Sequence, residues 1–385
     1  MSPLRVLPIR SRSERKAFLS LPRRLYQGDP KWVPPLASEE AALLGFRSHP
    51  FHEVNQAQCF LAMRGNRAVG RIAAIHNREH NRHQQDSVGF FGFFECEDDL
   101  PAAQELFATA SAWLSARGLT QIRGPMNPSI NYTAGLLVEG HDREPAFLTP
   151  YNHAYYARLL EGCGFGKAHD LWALRTERSQ FEPLLARAES LIARITRRFS
   201  LKIRTWTSTP TTHELADMLG VINQSLTSHW GYVPVTQREL HRAVAGLRWL
   251  IVPELVVGVE IDGRLASVIL ALPDYNPRLR QINGRLFPFN IFRLLLGKRK
   301  LPRFRVIATN VLPQYHRLGL GVVMVNALIQ RALAWGSQEI EFSWIAESNQ
   351  ASYGTLENAG AIRDRTFRVY ERAIATPSSV LPASA

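Results

Sequence analysis

The stretch with the clearest chemical potential is Asn310-Val311-Leu312-Pro313-Gln314-Tyr315-His316-Arg317-Leu318-Gly319-Leu320-Gly321-Val322. It leaves a β-branched run that starts at Arg303, turns through two glycines and opens an apolar-periodic helix that stops at Gly336. A strand, turn and helix start of this kind gathers backbone N–H groups at the positive end of a helix dipole, which suits an anion. Gly319 and Gly321 let a phosphate approach the main chain with no Cβ in the way. The competing reading is an ordinary tight turn. Two phosphate motifs are excluded. A Walker loop needs Gly-Lys-Ser/Thr, which is absent, and a dinucleotide fingerprint needs a third glycine where Met324 stands.

The elements around this turn recur faintly along the chain. Phe60 to Ile75 reads as a hairpin about Gly65-Asn66, and Leu255 to Leu270 as a second about Asp262-Gly263. Each is followed by a helix, a strand and a further short helix that ends near glycine. In the first half the helices are Pro101 to Arg117 and Tyr151 to Gly164. In the second, Arg303 to Leu312 is a strand, Gly319 to Gly336 a helix, Glu339 to Ile345 a strand, Gln350 to Ala359 a helix and Ile362 to Glu371 the last strand. Phe181 to Phe199 is an amphipathic helix between the halves, so the boundary is expected near Thr176. The reading is a mixed α/β chain: residues 1–176, a linker helix at 177–200, a second domain at 201–375, and a disordered Pro/Ser/Ala tail at 376–385.

Composition bounds the partners. The chain has 385 residues, 45% hydrophobic and 21% charged, enough for two folded domains. Its formal charge of +13 favours an anionic partner without choosing among nucleic acid, a phosphorylated co-substrate and a membrane surface. The three cysteines, at 59, 96 and 163, have no ligand-like spacing, so neither a disulfide framework nor a metal site is expected. The start of the chain shows no long apolar run, so neither a signal peptide nor a spanning helix is expected, and the expected location is the cytoplasm.

Taken with its surroundings, the glycine turn resembles the pyrophosphate loop of the GCN5-related N-acetyltransferase (GNAT) superfamily, Arg/Gln-x-x-Gly-x-Gly/Ala, here His316-Arg317-Leu318-Gly319-Leu320-Gly321. The family's next motif, Asn-x-x-Ala then Leu-Tyr-Glu-Lys-x-Gly-Phe, is similar to Asn349-Gln350-Ala351-Ser352 and Thr355-Leu356-Glu357-Asn358-Ala359-Gly360-Ala361. The resemblance covers about residues 200 to 374. The first half looks like a degenerate copy: Asn152 to Phe165 resembles the second motif, but Phe93-Phe94-Glu95-Cys96-Glu97-Asp98-Asp99 enters its helix with acids and without glycines. The resemblance implies two tandem GNAT-like domains, with acyl-CoA or acetyl-CoA as co-substrate in the second and no permanently bound cofactor. It implies pantetheine on the strand edge at Asn310, Val311 and Leu312. Pyrophosphate would lie on the loop through His316, Arg317, Leu318, Gly319, Leu320, Gly321 and Val322, with Asn349 beside it. An acceptor amine then attacks the thioester directly.

Catalytic residues are less legible. Leu356 stands where many members have a thiolate-protonating tyrosine, and Tyr353, one turn earlier, is the nearest substitute. An amine must shed a proton to attack, and Glu341, Glu347 and His229 are the candidate bases, with ordered water as an alternative. By strand alternation Glu341 shares a face with Glu339, Ser343 and Ile345 and is as readily a solvated residue. Glu347 is as readily a cap for the helix after Asn349. His229 and Trp230 lie in a segment similar to the acceptor side of large bacterial members.

One segment bears on the acceptor. Arg285 to Lys300 is densely apolar and ends in Lys298-Arg299-Lys300. It suits an interfacial helix or a lid over a long acyl chain, at the inner face of a cytoplasmic membrane, with a plain core helix as the competing reading. The favoured expectation is an acyl-CoA-dependent N-acyltransferase acting on a lipid-like amine such as a sphingoid base, as in bacterial ceramide synthases of this superfamily. The rivals are an aminoacyl-tRNA-dependent transferase, although a nucleic-acid partner is not favoured, and a non-catalytic acyl-CoA or lipid binder. Oligomeric state is not legible.

Overall fold

A computed structural model of the chain describes residues 2–208, 210–227, 229–247, 249–286 and 289–374. The first half lays down β1 (Leu4–Pro8), β2 (Gln56–Arg64), β3 (Arg67–His76), β4 (Val88–Cys96) and β5 (Gln121–Gly124). Short pieces β6 (Met126–Asn127), β7 (Thr133–Ala134) and β8 (Leu136–Glu139) follow, then β9 (Gly166–Glu177). The second half contributes β10 (Leu201–Thr205), β11 (Val256–Ile261), β12 (Arg264–Pro273), β13 (Arg303–Val311), β14 (Glu339–Ala346) and β15 (Ile362–Ala373).

The hairpins close where the sequence announces turns. Arg64 opposes Arg67 across Gly65-Asn66. Ile261 opposes Arg264 across Asp262 and Gly263, whose φ angles are +50° and +77°. Two left-handed residues give a turn whose twist matches the paired strands. In each half a fifth strand runs parallel to the fourth, β5 on β4 and β14 on β13. The crossovers are the helices Leu100–Ser115 and Leu320–Trp335. Each turns one apolar stripe to its sheet: Leu106, Phe107, Ala110 and Leu114 in the first, Val323, Met324, Ala327 and Leu328 in the second.

The two copies then exchange their closing strands. β9, which ends the first half, lies beside β14, with Ile340 opposite Thr176. β15, which ends the second, lies beside β5, with Tyr370 opposite Gly124. β9 and β15 pair with each other between these neighbours. Among the described residues this makes one sheet in the order β1-β2-β3-β4-β5-β15-β9-β14-β13-β12-β11-β10, with β8 also on β15. The short helices do not cross over: Tyr155–Gly162 buries Tyr156, Leu159 and Leu160 in the first core, and Gln350–Asn358 buries Leu356 in the second. A division at residue 176 therefore separates the helices but cuts through a shared sheet. The expected linker helix is the helix Arg178–Arg198, and it is packed into the second core through Phe181 and Ile195. The expected tail at 376–385 lies outside the described residues. Among the described residues no helix is long and apolar enough to cross a membrane.

Candidate active site

β13 and β14 pair only from Arg303–Glu339 to Val306–Phe342, then part. β13 stays bound to β12 as far as Val311 opposite Ser267. Among the described residues no strand lies beside its other edge from Ile307 to Val311, so the backbone polar groups of that edge face the opening. Residues Pro313–Leu318 form a 3-10 turn, and Gly319, at φ +74°, caps the helix Leu320–Trp335 with no side chain. Val322 and Val323 bond back to the Gly319 carbonyl at 3.0 and 3.4 Å. The first-turn N–H groups at Leu320 and Gly321 have no carbonyl one turn back, by helix geometry. A Cβ built on Gly321 would meet nothing within 4 Å, so the approach to them is open. This is a cradle an anion fits. Arg317 is exposed beside it, and among the described residues no ion pair engages it.

His316, expected on the phosphate, turns the other way. Its Nε2 lies 2.9 Å from the Val311 carbonyl and donates to it, closing the end of the open edge. Asn310 also faces away: its Nδ2 donates to Ser225 Oγ at 2.7 Å, tying β13 to the helix Thr212–Leu226.

His229 and Asn349 meet across the opening. Asn349 caps its helix by accepting from Ser352 N at 3.1 Å, which turns its amide Nδ2 toward His229 Nε2, 3.4 Å away. That contact is long enough for an incoming amine to replace. Among the described residues His229 Nδ1 is buried with no partner. Burial, aided by nearby His316, holds the imidazole below its usual pKa. It is therefore neutral near pH 7 and able to accept a proton.

The other candidate groups are taken up elsewhere. Glu341 is not solvated, as alternation allows, but buried at 2% exposure. It accepts from Ser343 Oγ and from Arg365 Nη2, each at 2.7 Å. Ser343 in turn accepts from Arg305, whose guanidinium burial pulls down to about 10. The reason is the strand exchange, which packs β15 and its Arg365 near a face of β14 that a lone domain would leave to water. Glu347 does not cap the helix. Its oxygens accept from Lys167 Nζ at 2.6 Å and from the Asp170 N–H at 3.0 Å, both on β9. Tyr353 directs its hydroxyl to Glu357 at 2.9 Å on the surface, and that bond raises its pKa. Its ring meets Trp172 edge-on at 4.9 Å. Leu356 is core. Neither position offers a proton to the opening.

Two residues that sequence reasoning missed hold Trp230, the neighbour of His229. His169 of β9 stacks flat on Trp230, with centroids 4.4 Å apart and planes 7° apart. Its Nδ1 is 3.5 Å from Glu347 Oε1. Arg123 of β5 lies 5.3 Å above the same indole. Trp230 is thus clamped by two first-half residues next to His229. Beyond it an open cleft runs between the halves, lined by Asn77, Glu79, Asn131, Val233 and Glu239 among others. No local pattern marks His169 or Arg123, since each works only through pairing with the far half.

The matching place in the first half is closed. β4 and β5 part after Phe90–Arg123, but Asn127 Oδ1 accepts the Phe93 N–H at 2.6 Å. A Cβ on Gly92 would fall 1.8 Å from the Met126 carbonyl. The helix Leu100–Ser115 is capped by the Asp99 carboxylate, which accepts from Ala102 N at 3.2 Å and pairs with Arg64 at 2.7 Å.

Residues 226–361 match the family described as Acetyltransferase (GNAT) family. The chain is 32% identical to a protein named bacterial ceramide synthase from Caulobacter vibrioides (strain NA1000 / CB15N), over 96% of this chain and 98% of that one. It is 29% identical to Protein YghO of Escherichia coli (strain K12), over 94% of each. A tandem GNAT protein from the clavulanic acid biosynthesis pathway, solved without AcCoA, superposes with a TM-score of 0.58 at 12% identity, covering 98% of this chain and 100% of that one. A GCN5-related N-acetyltransferase from Sphaerobacter thermophilus does so at 0.53 and 11%, covering 97% of each. At such identities these two show the fold alone: tandem GNAT-like units in a mixed α/β sheet.

Proposed function

This chain belongs to the acetyltransferase (GNAT) family and is an N-acyltransferase; from that premise we propose that it moves a long acyl group from CoA to a lipid-like amine, with a sphingoid base as the favoured acceptor. The observation that carries the reading is the open edge of β13 running into a helix start capped only by glycine, with a neutral histidine across from it. Support for the acceptor comes from the ceramide synthase relative and from apolar side chains exposed near the site. We read the enzyme as cytoplasmic and peripheral to the inner face of the membrane.

The pyrophosphate lies on the N–H groups at Leu320 and Gly321, with Arg317 near it, and the pantetheine pairs with β13 between Ile307 and Val311. The thioester then sits in the opening. The amine enters from the cleft beyond Trp230 and takes the place of the Asn349 contact on His229. As its nitrogen attacks the thioester carbon, a proton passes to His229 Nε2. The C–S bond breaks, the C–N bond forms, and the same proton goes on to the CoA thiolate. One histidine serving both transfers fits a site in which Tyr353 and Leu356 offer no acid. Holding both substrates against one strand edge supplies the orientational part of the acceleration.

The test is thiol release from acyl-CoA of several chain lengths, with a sphingoid base and with small amines as acceptors. Release that needs a long-chain amine and grows with acyl length supports the reading. Binding of acyl-CoA with no release to any amine would make the chain a binder instead.

A further inference from the structure

Residues 289–298 and the loop at Trp249 form one surface. Lys298 Nζ donates to the Trp249 carbonyl. The Arg278 guanidinium donates to the carbonyls of Arg293 and Leu294, at 3.3 and 3.1 Å, and to those of Leu296 and Gly297. These bonds pin the short helix Asn290–Leu295 and the turn after it. The helix is two-sided. Leu294 is buried and Leu295 packs beside it, in a cluster with Leu250, Leu272 and Tyr275. Outward stand Phe289 at 74% exposure, Phe292 at 60%, Leu296 at 70%, and Trp249 at 55%. The described residues leave eight large apolar side chains exposed, and these four gather on this one patch. Scattered singly such side chains need no explanation, but gathered in this way they mark a contact surface. Residues 285–300 hold five lysines and arginines and no acid.

We propose that this surface docks the enzyme on an anionic lipid bilayer. Phe289, Phe292, Leu296 and Trp249 enter the boundary between headgroups and acyl chains, and Arg285, Arg293 and Lys300 meet lipid phosphates. The combination of outward aromatic and leucine side chains with surrounding positive charge is what an interfacial anchor needs. The apolar cluster under the helix also contains Ile307, the first residue of β13 past its last pairing with β14. The docked face is thus joined by apolar side chains to the opening where the strands part, which lets a lipid substrate reach the site without crossing water. This purpose rests on the N-acyltransferase reading; the docking itself does not.

The experiment is co-sedimentation of the full chain with vesicles of phosphatidylglycerol mixed with phosphatidylcholine, and with phosphatidylcholine alone. The wild type should bind the mixed vesicles at least ~10-fold more tightly, with an advantage that falls as salt rises. F289S/F292S/L296S should weaken binding to the mixed vesicles at least ~30-fold. R293Q/K300Q, which leaves the apolar groups in place, should lose most of the preference for anionic lipid and its salt dependence. Turnover of a water-soluble amine with a short acyl-CoA should be unchanged in both variants, so docking and chemistry are read separately. A wild type that ignores the mixed vesicles overturns the proposal, whatever its turnover. So does a self-associated wild type that the triple variant dissociates, because the surface would then belong to a second copy of the chain.

Discussion

The two halves of this molecule share a plan and differ at the one place where a donor would bind. In both, a fourth strand runs to a helix and a fifth strand parts from it. In the second half Gly319 leaves the helix start open, and among the described residues no strand pairs with the β14-side edge of β13 from Ile307 to Val311. In the first half the Asp99 carboxylate occupies the helix start, and Asn127 fills the opening by accepting the Phe93 N–H. A helix N-terminus is satisfied either by its own side chain or by a ligand. The first half has taken the former course and become a support. What it supports is visible in β9 and β5, whose His169 and Arg123 clamp the Trp230 ring beside His229. The first half thus contributes to the candidate site through a strand and a stack.

Four experiments would break or sharpen this contrast. The largest effect is expected at His229, across from the open edge of β13. His229→Gln should lower turnover roughly 10²-fold or more, with acyl-CoA affinity little changed. Because burial lowers the imidazole pKa, the wild-type acid limb in kcat should lie below the ordinary value of about 6.5. The sign follows from lost base: activity falls only once the pH drops through the depressed value. The glutamine variant should lack that limb, and an unchanged profile would remove His229 from the proton path.

Next, Gly321→Asp carries the first half's device into the second. Its Cβ has room, but its carboxylate would stand in the anion cradle. Acyl-CoA affinity by calorimetry should fall at least ~10-fold, about 1.4 kcal/mol. The converse, Asp99→Gly, should not create a second site, and the stoichiometry should stay at one acyl-CoA per chain, because Asn127 still fills the opening. Two bound molecules would mean that the carboxylate alone separates the halves.

A smaller effect is expected at His169. His169→Ala should lower kcat about 10-fold through misplacement of Trp230 and His229, with KM for acyl-CoA little changed. His169→Phe keeps a flat ring for the stack and should restore most of the loss. Equal activity in all three proteins would reduce the first half to scaffolding. The smallest effect is expected at Tyr353, whose hydroxyl is engaged with Glu357 at the surface. Tyr353→Phe should keep turnover within about 2-fold, and a large loss would return that tyrosine to the site.

Much of this was legible in the sequence because it is local. A turn of Asp262-Gly263 closes a hairpin wherever it stands, since two left-handed residues are needed and these supply them at little strain. Gly319 and Gly321 mark an anion cradle for the same kind of reason: the helix start and the missing Cβ atoms lie within a few residues. The apolar spacing of Leu320–Trp335 likewise names the face that must be buried. The exchange of β9 and β15 could not be read in this way. Both are long strands, and the period of a strand tells which side chains share a face but not which strand lies alongside. That choice is made by packing between residues some two hundred positions apart, as where Arg368 of β15 bonds Asp170 of β9. It decided the rest. It buried Glu341 with Arg365, tied Glu347 to Lys167 and brought His169 against Trp230. Of the four proton-transfer candidates that residue type allows, tertiary structure leaves only His229 facing the opening, because a side chain's chemistry depends on the partners that long-range pairing brings to it.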